Sequence, residues 1–481
     1  MPEGDELDDL LSAARSARAR RLDDVLGDLA GESVDAGTPD DAGAIEADAS
    51  AIVTGDDYET RRARWVRGLS VVLAAVAFAG LLTDAVAASQ LLSGAGPWAF
   101  AIVWPLGGLS LLAAAALQAR FVDRFARVGV MVGLLVGYSL MFLLVLVLAG
   151  LDLPTSWPAA VAWLLADQMN FLVPLVVWAL AGDVFTAGEA LTLYPRISRW
   201  THVGQFAGLA VATAAALVWS DSGRALMWLL SLAPVACVAA ALVAPRLLRD
   251  ASTGVGHGRE EDTGEAWRGT LAFIRELPSF LWLLRLSFAV MLAGTIVEFA
   301  FFELSGDRIQ SAGRLQALYA GATLAGFALC WLVQATAASS ILRRFGVQKV
   351  LLALPLATLL AGAVMVVAGS ERSVVLAVAA LLVWRLPRWS IDTSARQSAM
   401  ALLPDERRAR SSFAIDLAPI ASALVASVVP ISLMLLTGQR WLLGGSAVVL
   451  ASLALVFGTR VVRHWETTQL NYRLKRRKRL R

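Results

Sequence analysis

A chain of 481 residues with 57% hydrophobic residues and a mean hydropathy of +0.64 is too apolar for an ordinary soluble domain. Its net charge of +3 conceals opposite ends: the first sixty residues hold many more acids than bases, and the last stretch, RLKRRKRLR, is almost all basic. Two cysteines inside apolar runs and three scattered histidines exclude a disulfide framework and a metal site, and the absence of a GxxxxGK[ST] loop argues against ATP hydrolysis. Nothing in the sequence points to a cofactor, to nucleic acid or to an enzyme.

In chain order, residues 1–60 read as an acidic segment: a short amphipathic helix from Leu7 to Leu29, then a Gly/Asp/Ala linker too poor in apolar residues to fold. It does not resemble a signal peptide, because the first long apolar run begins near Leu69. Its composition leaves room for a protein partner. Apolar runs then follow at 69–92, 98–117, 128–150, 158–184, 197–219 and 224–245. Each is close to the ~20 residues that a helix needs to cross a bilayer. A polar stretch from Arg246 to about Pro278 separates them from six more, at 279–304, 316–338, 347–368, 373–392, 411–436 and 441–460. Many tryptophans flank these runs (Trp65, Trp98, Trp157, Trp200, Trp441), as indoles do at a headgroup interface.

The expected fold is therefore an all-α membrane protein of twelve transmembrane helices in two six-helix lobes, the layout of a two-lobed transporter. The domains expected are residues 61–246 for the first lobe, 247–278 for the interlobe loop and 279–463 for the second lobe. Residues 464–481 form a basic tail suited to anionic lipid headgroups. Short-loop Lys and Arg residues cluster on one side: Arg120/Arg124/Arg127, Arg196/Arg199, Arg343/Arg344/Lys349 and Arg385 through Arg410. The other side has only Arg224, Arg308, Arg314, Arg372 and Arg440. This asymmetry predicts both termini in the cytoplasm and the cell membrane as location. A short repeat, Asp123-Arg124-Phe125-Ala126-Arg127 against Arg343-Arg344-Phe345-Gly346-Val347, falls at equivalent points of the two halves.

Ionisable residues within a bilayer cost roughly 2.5–3.5 kcal/mol on insertion scales, so each needs a reason. Asp167 lies ~13 Å into its run, near the midplane, with Gln168 beside it and Asn170 on the same helical face. The same cluster would also serve as a helix–helix hydrogen-bond site. Pro174 frees the carbonyl of Asn170 and predicts a kink or polar notch. Asp84 in the first run and Glu298 in the seventh are counterparts across the halves, although Glu298 could instead reach the outer surface with Glu303. The tenth run offers only Ser373 to Trp384, ~18 Å of helix, so Arg385, Arg388 and Asp392 must enter the bilayer region. There an Arg–Asp pair could close the inner end, or Arg385 could meet an anionic substrate. Glycines repeat every fourth position at Gly129, Gly133 and Gly137, and at Gly204 and Gly208, which reads as close helix packing.

The stretch Ala119-xxx-Asp123-Arg124-x-Ala126-Arg127 resembles the Gly-xxx-Asp-Arg-x-Gly-Arg-Arg loop of the major facilitator superfamily, with alanines for both glycines and Val128 for the last arginine. That resemblance implies that the loop latches the lobes at the cytoplasmic side; the gate candidates are Asp123, Arg124 and Arg127 in the loop together with Glu189, Arg196 and Asp416. Three further stretches are similar to the ATP/ADP translocase (nucleotide transporter) family: Leu82-Thr83-Asp84, WALAGDVFTAGEALTLYPRISRWTHVGQFAG (Trp178 to Gly208) and RLPRWSIDTSARQSAMALLPDERRARSSFAID (Arg385 to Asp416). This resemblance implies a secondary transporter, an antiporter of a small nucleotide-like anion; the polar residues within the spans, Asp84, Asp167, Gln168, Asn170, Glu298 and Arg385, are the expected substrate-site residues. The chain departs from that family where it has Thr83 in place of a lysine and no lysine among Ser411 to Ala414. The alternatives are an exporter or flippase of an amphipathic lipid or drug, and a non-transporting scaffold.

Overall fold

The computed structural model describes residues 55–122, 125–151, 154–185, 187–219, 222–251, 272, 274–400 and 405–479, with the side chains of some of these left aside. The chain divides into Met1–Arg62, of which only residues 55–62 are described, and a large unit from Ala63 to Arg481. The predicted N-terminal helix, the acidic linker and most of the interlobe loop lie outside the described residues. All regular structure among the described residues is helical.

Twelve helical spans are long and apolar enough to cross a membrane, and the protein is a multi-pass membrane protein. In the first lobe spans 1 to 6 are Tyr58–Ala95, Pro97–Leu117, Arg127–Gly150, Ser156–Val184, Arg196–Val218 and Gly223–Leu247. In the second, spans 7 to 12 are Pro278–Arg308, Ala312–Gln334, Ala353–Glu371, Val374–Asp392, Leu417–Thr437 and Trp441–Thr467. Spans 1 and 7, the counterparts, are the most buried of all. The lobes meet where span 5 packs on span 8 and span 2 on span 11. This leaves spans 1 and 7 facing the molecular centre.

Several local features differ from a reading of hydropathy. Span 4 runs as one helix through Pro174. Span 9 starts at Ala353 rather than 347, after a turn at Leu351 and Leu352, and Gly346, at φ +75°, kinks the short helix before it. Left-handed backbone of this kind suits glycine. The short tenth run is completed by a π-helical turn, Arg388–Asp392, which continues Val374–Pro387. The final helix continues past span 12 as far as Arg479.

The two glycine repeats have different fates. A side chain at Gly204 or Gly208 would lie 2.1 Å from the Ala74 carbonyl oxygen or 2.6 Å from that of Phe78, so span 5 rests directly on the backbone of span 1. Gly129, Gly133 and Gly137 have nothing within 4 Å of a built Cβ, which corrects the expectation of close packing on span 3.

Candidate functional site

The centre is built by the same device in each lobe. In span 1, Gly80 stands one turn before Asp84; in span 7, Gly294 stands one turn before Glu298. The missing Cβ of Gly80 is replaced by the amide of Asn170 from span 4, at 2.0 Å from where that Cβ would be. The missing Cβ of Gly294 is replaced by the indole of Trp384 from span 10, at 2.1 Å. Each lobe's first helix thus seats its fourth helix beside an acid. The fourth helices then present groups of opposite sign, Asp167 in the first lobe and Arg385 in the second.

The second-lobe pair is self-neutralising. Arg385 is 4% exposed, donates from Nη2 to Glu298 in a very short ion pair, and donates from Nη1 to the Thr323 hydroxyl at 2.7 Å. Its guanidinium also lies 5.3 Å over the Tyr319 ring and 5.0 Å over that of Trp389. Among the described residues neither first-lobe acid of the centre, Asp84 or Asp167, has an ion-pair partner, although Arg385 lies within electrostatic range of Asp84. The hydroxyl of Tyr319, on span 8, donates to Asp84 Oδ2 at 2.7 Å across the lobe boundary, and Trp163 Nε1 donates to Asp167 Oδ2 at 3.2 Å. Asp84, Asp167 and Glu298 lie within electrostatic range of one another. Both aspartates remain half-buried at mid-span, so they border interior space rather than solid packing.

Aromatic rings close one side of this centre. Phe100 of span 2 stacks on Phe302 of span 7 at 4.7 Å with the planes 2° apart. Trp104 meets Phe299 and Phe302 at 6.1 and 6.2 Å, and Trp163 meets Phe302 at 6.2 Å. Phe302 in turn meets Tyr319 at 5.1 Å. Near this end Gln316, fully buried, donates to the Ala212 carbonyl at 2.8 Å and accepts from Ser89 at 3.4 Å, joining spans 5, 8 and 1. The lobes are therefore locked together where spans 2 and 7 carry Phe100 and Phe302. On the other side of Arg385, Phe327 of span 8 stacks on Trp389 at 4.2 Å, and Phe206 of span 5 lies 6.4 Å from Phe327.

No protein-family model matches the chain, and no curated protein matches it. Solved structures do. A POT family transporter in complex with 5-aminolevulinic acid superposes with a TM-score of 0.59 at 13% identity, covering 82% of this chain and 96% of that one. A bacterial homologue of the iron transporter ferroportin, in an outward-facing state, gives 0.57 at 17%, covering 83% and 99%. The nucleoside transporter NupG gives 0.52 at 12%, covering 83% and 98%. The chain has the major facilitator fold. At such identities the likeness extends to the fold alone.

Of the residues singled out in the sequence, the structure gathers Asp84, Asp167, Glu298 and Arg385 into one centre. Asn170 is half-buried against Gly80 and works as packing between spans 1 and 4; Gln168 is half-buried beside it. Glu298 turns inward, while Glu303 goes to Arg440 Nε at 2.6 Å. Asp392 pairs with Arg396 at 2.5 Å, and Arg388 covers Trp384 at 4.8 Å. Among the gate candidates, Arg127 is held within its own lobe by Asp183 and by the Ala179 carbonyl at 2.6 Å. Glu189 is half-buried and engaged near the start of the helix Ala187–Val218, and Arg196 is exposed. Asp123, Arg124 and the side chain of Asp416 lie outside the described residues.

Sequence reasoning missed Tyr319, Trp163, Trp104, Phe302, Thr323 and Gln316. Apart from their apolar runs they carry no spacing signature. The Gly-xxx-acid echo, Gly80/Asp84 and Gly294/Glu298, was available and would have pointed to the paired centres.

Proposed function

We infer that the chain is a secondary transporter that works by alternating access, with the lobes rocking about the Asp84–Tyr319–Arg385–Glu298 centre. The observation that carries this reading is a polar network between two six-helix lobes, deep in apolar spans, with two half-buried carboxylates that no cation of their own lobe neutralises. Buried charge is too costly to keep for packing alone. Solved neighbours of this fold include both inward- and outward-facing states of the ferroportin homologue. The domain limits proposed are those of the sequence, with both termini in the cytoplasm, the basic tail on anionic headgroups and the Phe100–Phe302 end outside.

A proton is the natural coupling ion. Asp84 and Asp167 stand within electrostatic range of each other and lack an ion-pair partner in their own lobe, so they are the carboxylates on which a coupled proton would ride. Glu298, Arg385 and Tyr319 complete the set of groups facing them. A nucleotide cargo, implied by the translocase-like stretches, is less well supported. The guanidinium of the centre is already spent on Glu298, and Thr83 is fully buried where that family has a lysine.

The test is uptake of a metabolite panel by purified protein in liposomes, with and without an imposed proton gradient, beside Asp167→Asn. Saturable uptake driven by the gradient, uncoupled in the variant, is expected. Folded protein that moves nothing in any arrangement would overturn the transporter reading. Uptake and pH dependence left intact by Asp167→Asn would remove that residue as the coupling site.

A further inference from the structure

The charge asymmetry of the two lobes carries a conclusion about cargo. We propose that the central site takes an organic monocation, an ammonium, amidinium or pyridinium group on an apolar or aromatic body, bound between Asp84 and Asp167. The inference rests on the transporter reading and names the substrate class of the same site.

Sign comes first. The four central charged groups are three carboxylates and one guanidinium, and the guanidinium is committed to Glu298, Thr323 and Tyr319. Spans 1 to 4 contain no Lys or Arg between Gly68 and Arg120, or between Val128 and Arg196, so nothing in the sequence of these helices offsets Asp84 and Asp167 at mid-depth. A cargo bearing a positive charge supplies what the lobe lacks, whereas a phosphate or carboxylate would meet uncompensated negative charge at low dielectric.

The surroundings fit the rest of such a molecule. Each aspartate is held by an aromatic donor, Tyr319 for Asp84 and Trp163 for Asp167. Those two rings both lie against Phe302. Aromatic faces beside carboxylates are how proteins recognise ammonium groups, since the ring quadrupole attracts the cation while the apolar surface covers its body. Inorganic cations gain little from such walls, and among the described residues no group of three metal-ligating side chains is present.

A second observation lies beside Tyr319, the hydrogen-bond partner of Asp84. A small cavity lies between the lobes one turn from Asp84, lined by Ala88, Ser89, Leu92, Phe302, Ser305 and Tyr319 among others. On its wall the Ser305 hydroxyl is 1% exposed and has no hydrogen-bond partner among the described residues. An unsatisfied buried hydroxyl is costly. The cavity is about 10 Å³, room for one water, so Ser305 marks a polar position that a water or a polar atom of the cargo fills beside the aromatic wall.

The experiment is equilibrium binding to the full chain in lipid nanodiscs, read by thermal stabilisation and by displacement of labelled 1-methyl-4-phenylpyridinium. The cation probes are that compound, tetraethylammonium and benzyltrimethylammonium; the anion probes are ATP, ADP, inorganic phosphate and glutamate. Saturable cation binding is expected, weakened at least tenfold by Asp84→Asn and by Asp167→Asn and largely retained by Asp84→Glu. Because an Asn variant could unfold, Trp163→Leu and Ser305→Ala give a second reading, with a several-fold loss expected from each. Stabilisation by the anions and not the cations overturns the proposal, as does cation binding indifferent to both aspartates, or no cation binding by protein that still unfolds cooperatively. Anion uptake into liposomes without cation binding would sink the cargo class and keep the transporter; cation binding without any transport would do the reverse.

Discussion

Arg385 decides the character of the second lobe, because it converts an acid that would repel its neighbours into half of a neutral pair. Removing one partner of a buried ion pair leaves the other charged and unsolvated, which costs about 3–5 kcal/mol, whereas removing both costs far less. Arg385→Gln should therefore lower unfolding stability in detergent by about that amount, and the Glu298→Gln/Arg385→Gln double variant should recover most of it. The check is a double-mutant cycle followed by denaturant titration. A double variant no more stable than Arg385→Gln alone would show that Thr323 and Tyr319, not Glu298, hold the arginine. At this scale the sequence was informative about which residues matter and silent about their partners. Cost in a bilayer singles out Asp84, Asp167, Glu298 and Arg385 from hydropathy alone. That Glu298 joins Arg385 rather than Glu303's surface neighbours depends on how spans 7 and 10 are rotated, and the apolar pattern all round these helices leaves rotation undefined.

At the scale of the element, glycines separate helices that touch from helices that face outward. Gly80→Ala and Gly294→Ala would drive a methyl group into Asn170 and Trp384, and overpacking of this kind costs about 1–3 kcal/mol. Gly133→Ala meets nothing and should be neutral or stabilising by up to about 1 kcal/mol through helix propensity. Adding Asn170→Ala should relieve Gly80→Ala and leave Gly294→Ala unaffected. Unfolding midpoints of the five proteins test the set, and equal losses at Gly80 and Gly133 would contradict the packing described. The four-residue repeat looks identical on spans 3 and 5 in the sequence, because spacing reports only that small residues share a face. What lies opposite that face is a tertiary fact. Span limits, by contrast, were legible nearly everywhere, since water-free surroundings force each apolar run into one helix. The exceptions include the starts of span 1, at Tyr58 rather than 69, and of span 9, at Ala353 rather than 347, where the helix carries polar residues or the local backbone departs from a regular helix.

For the whole molecule, the question is what keeps the lobes closed at the end where Phe100 meets Phe302. The lock joins residues from 104 to 227 positions apart in sequence, and no local pattern announces it. It consists of the Phe100–Phe302 stack, the Trp104 and Trp163 contacts and the Gln316 bridge. An aromatic pair adds about 0.5–1.5 kcal/mol beyond its buried area. Phe302 takes part in several such contacts, so its loss should shift the open-to-closed ratio by roughly tenfold or more. Ser89 is a reporter, being buried behind the lock and bonded to Gln316, while the natural thiols Cys237 and Cys330 are both buried. In a Ser89→Cys background, Phe302→Ala should raise the rate of labelling by a membrane-impermeant maleimide about tenfold, and Gln316→Leu should raise it by a smaller factor. The increase should be absent for Phe345→Ala, because Phe345 is an exposed residue that follows span 8 at the opposite end. Labelling that rises equally for Phe302→Ala and Phe345→Ala would mean general loosening rather than an opened end. Labelling unchanged by Phe302→Ala would mean that the hydrogen bonds of Tyr319 and Gln316 hold the lobes together without the rings.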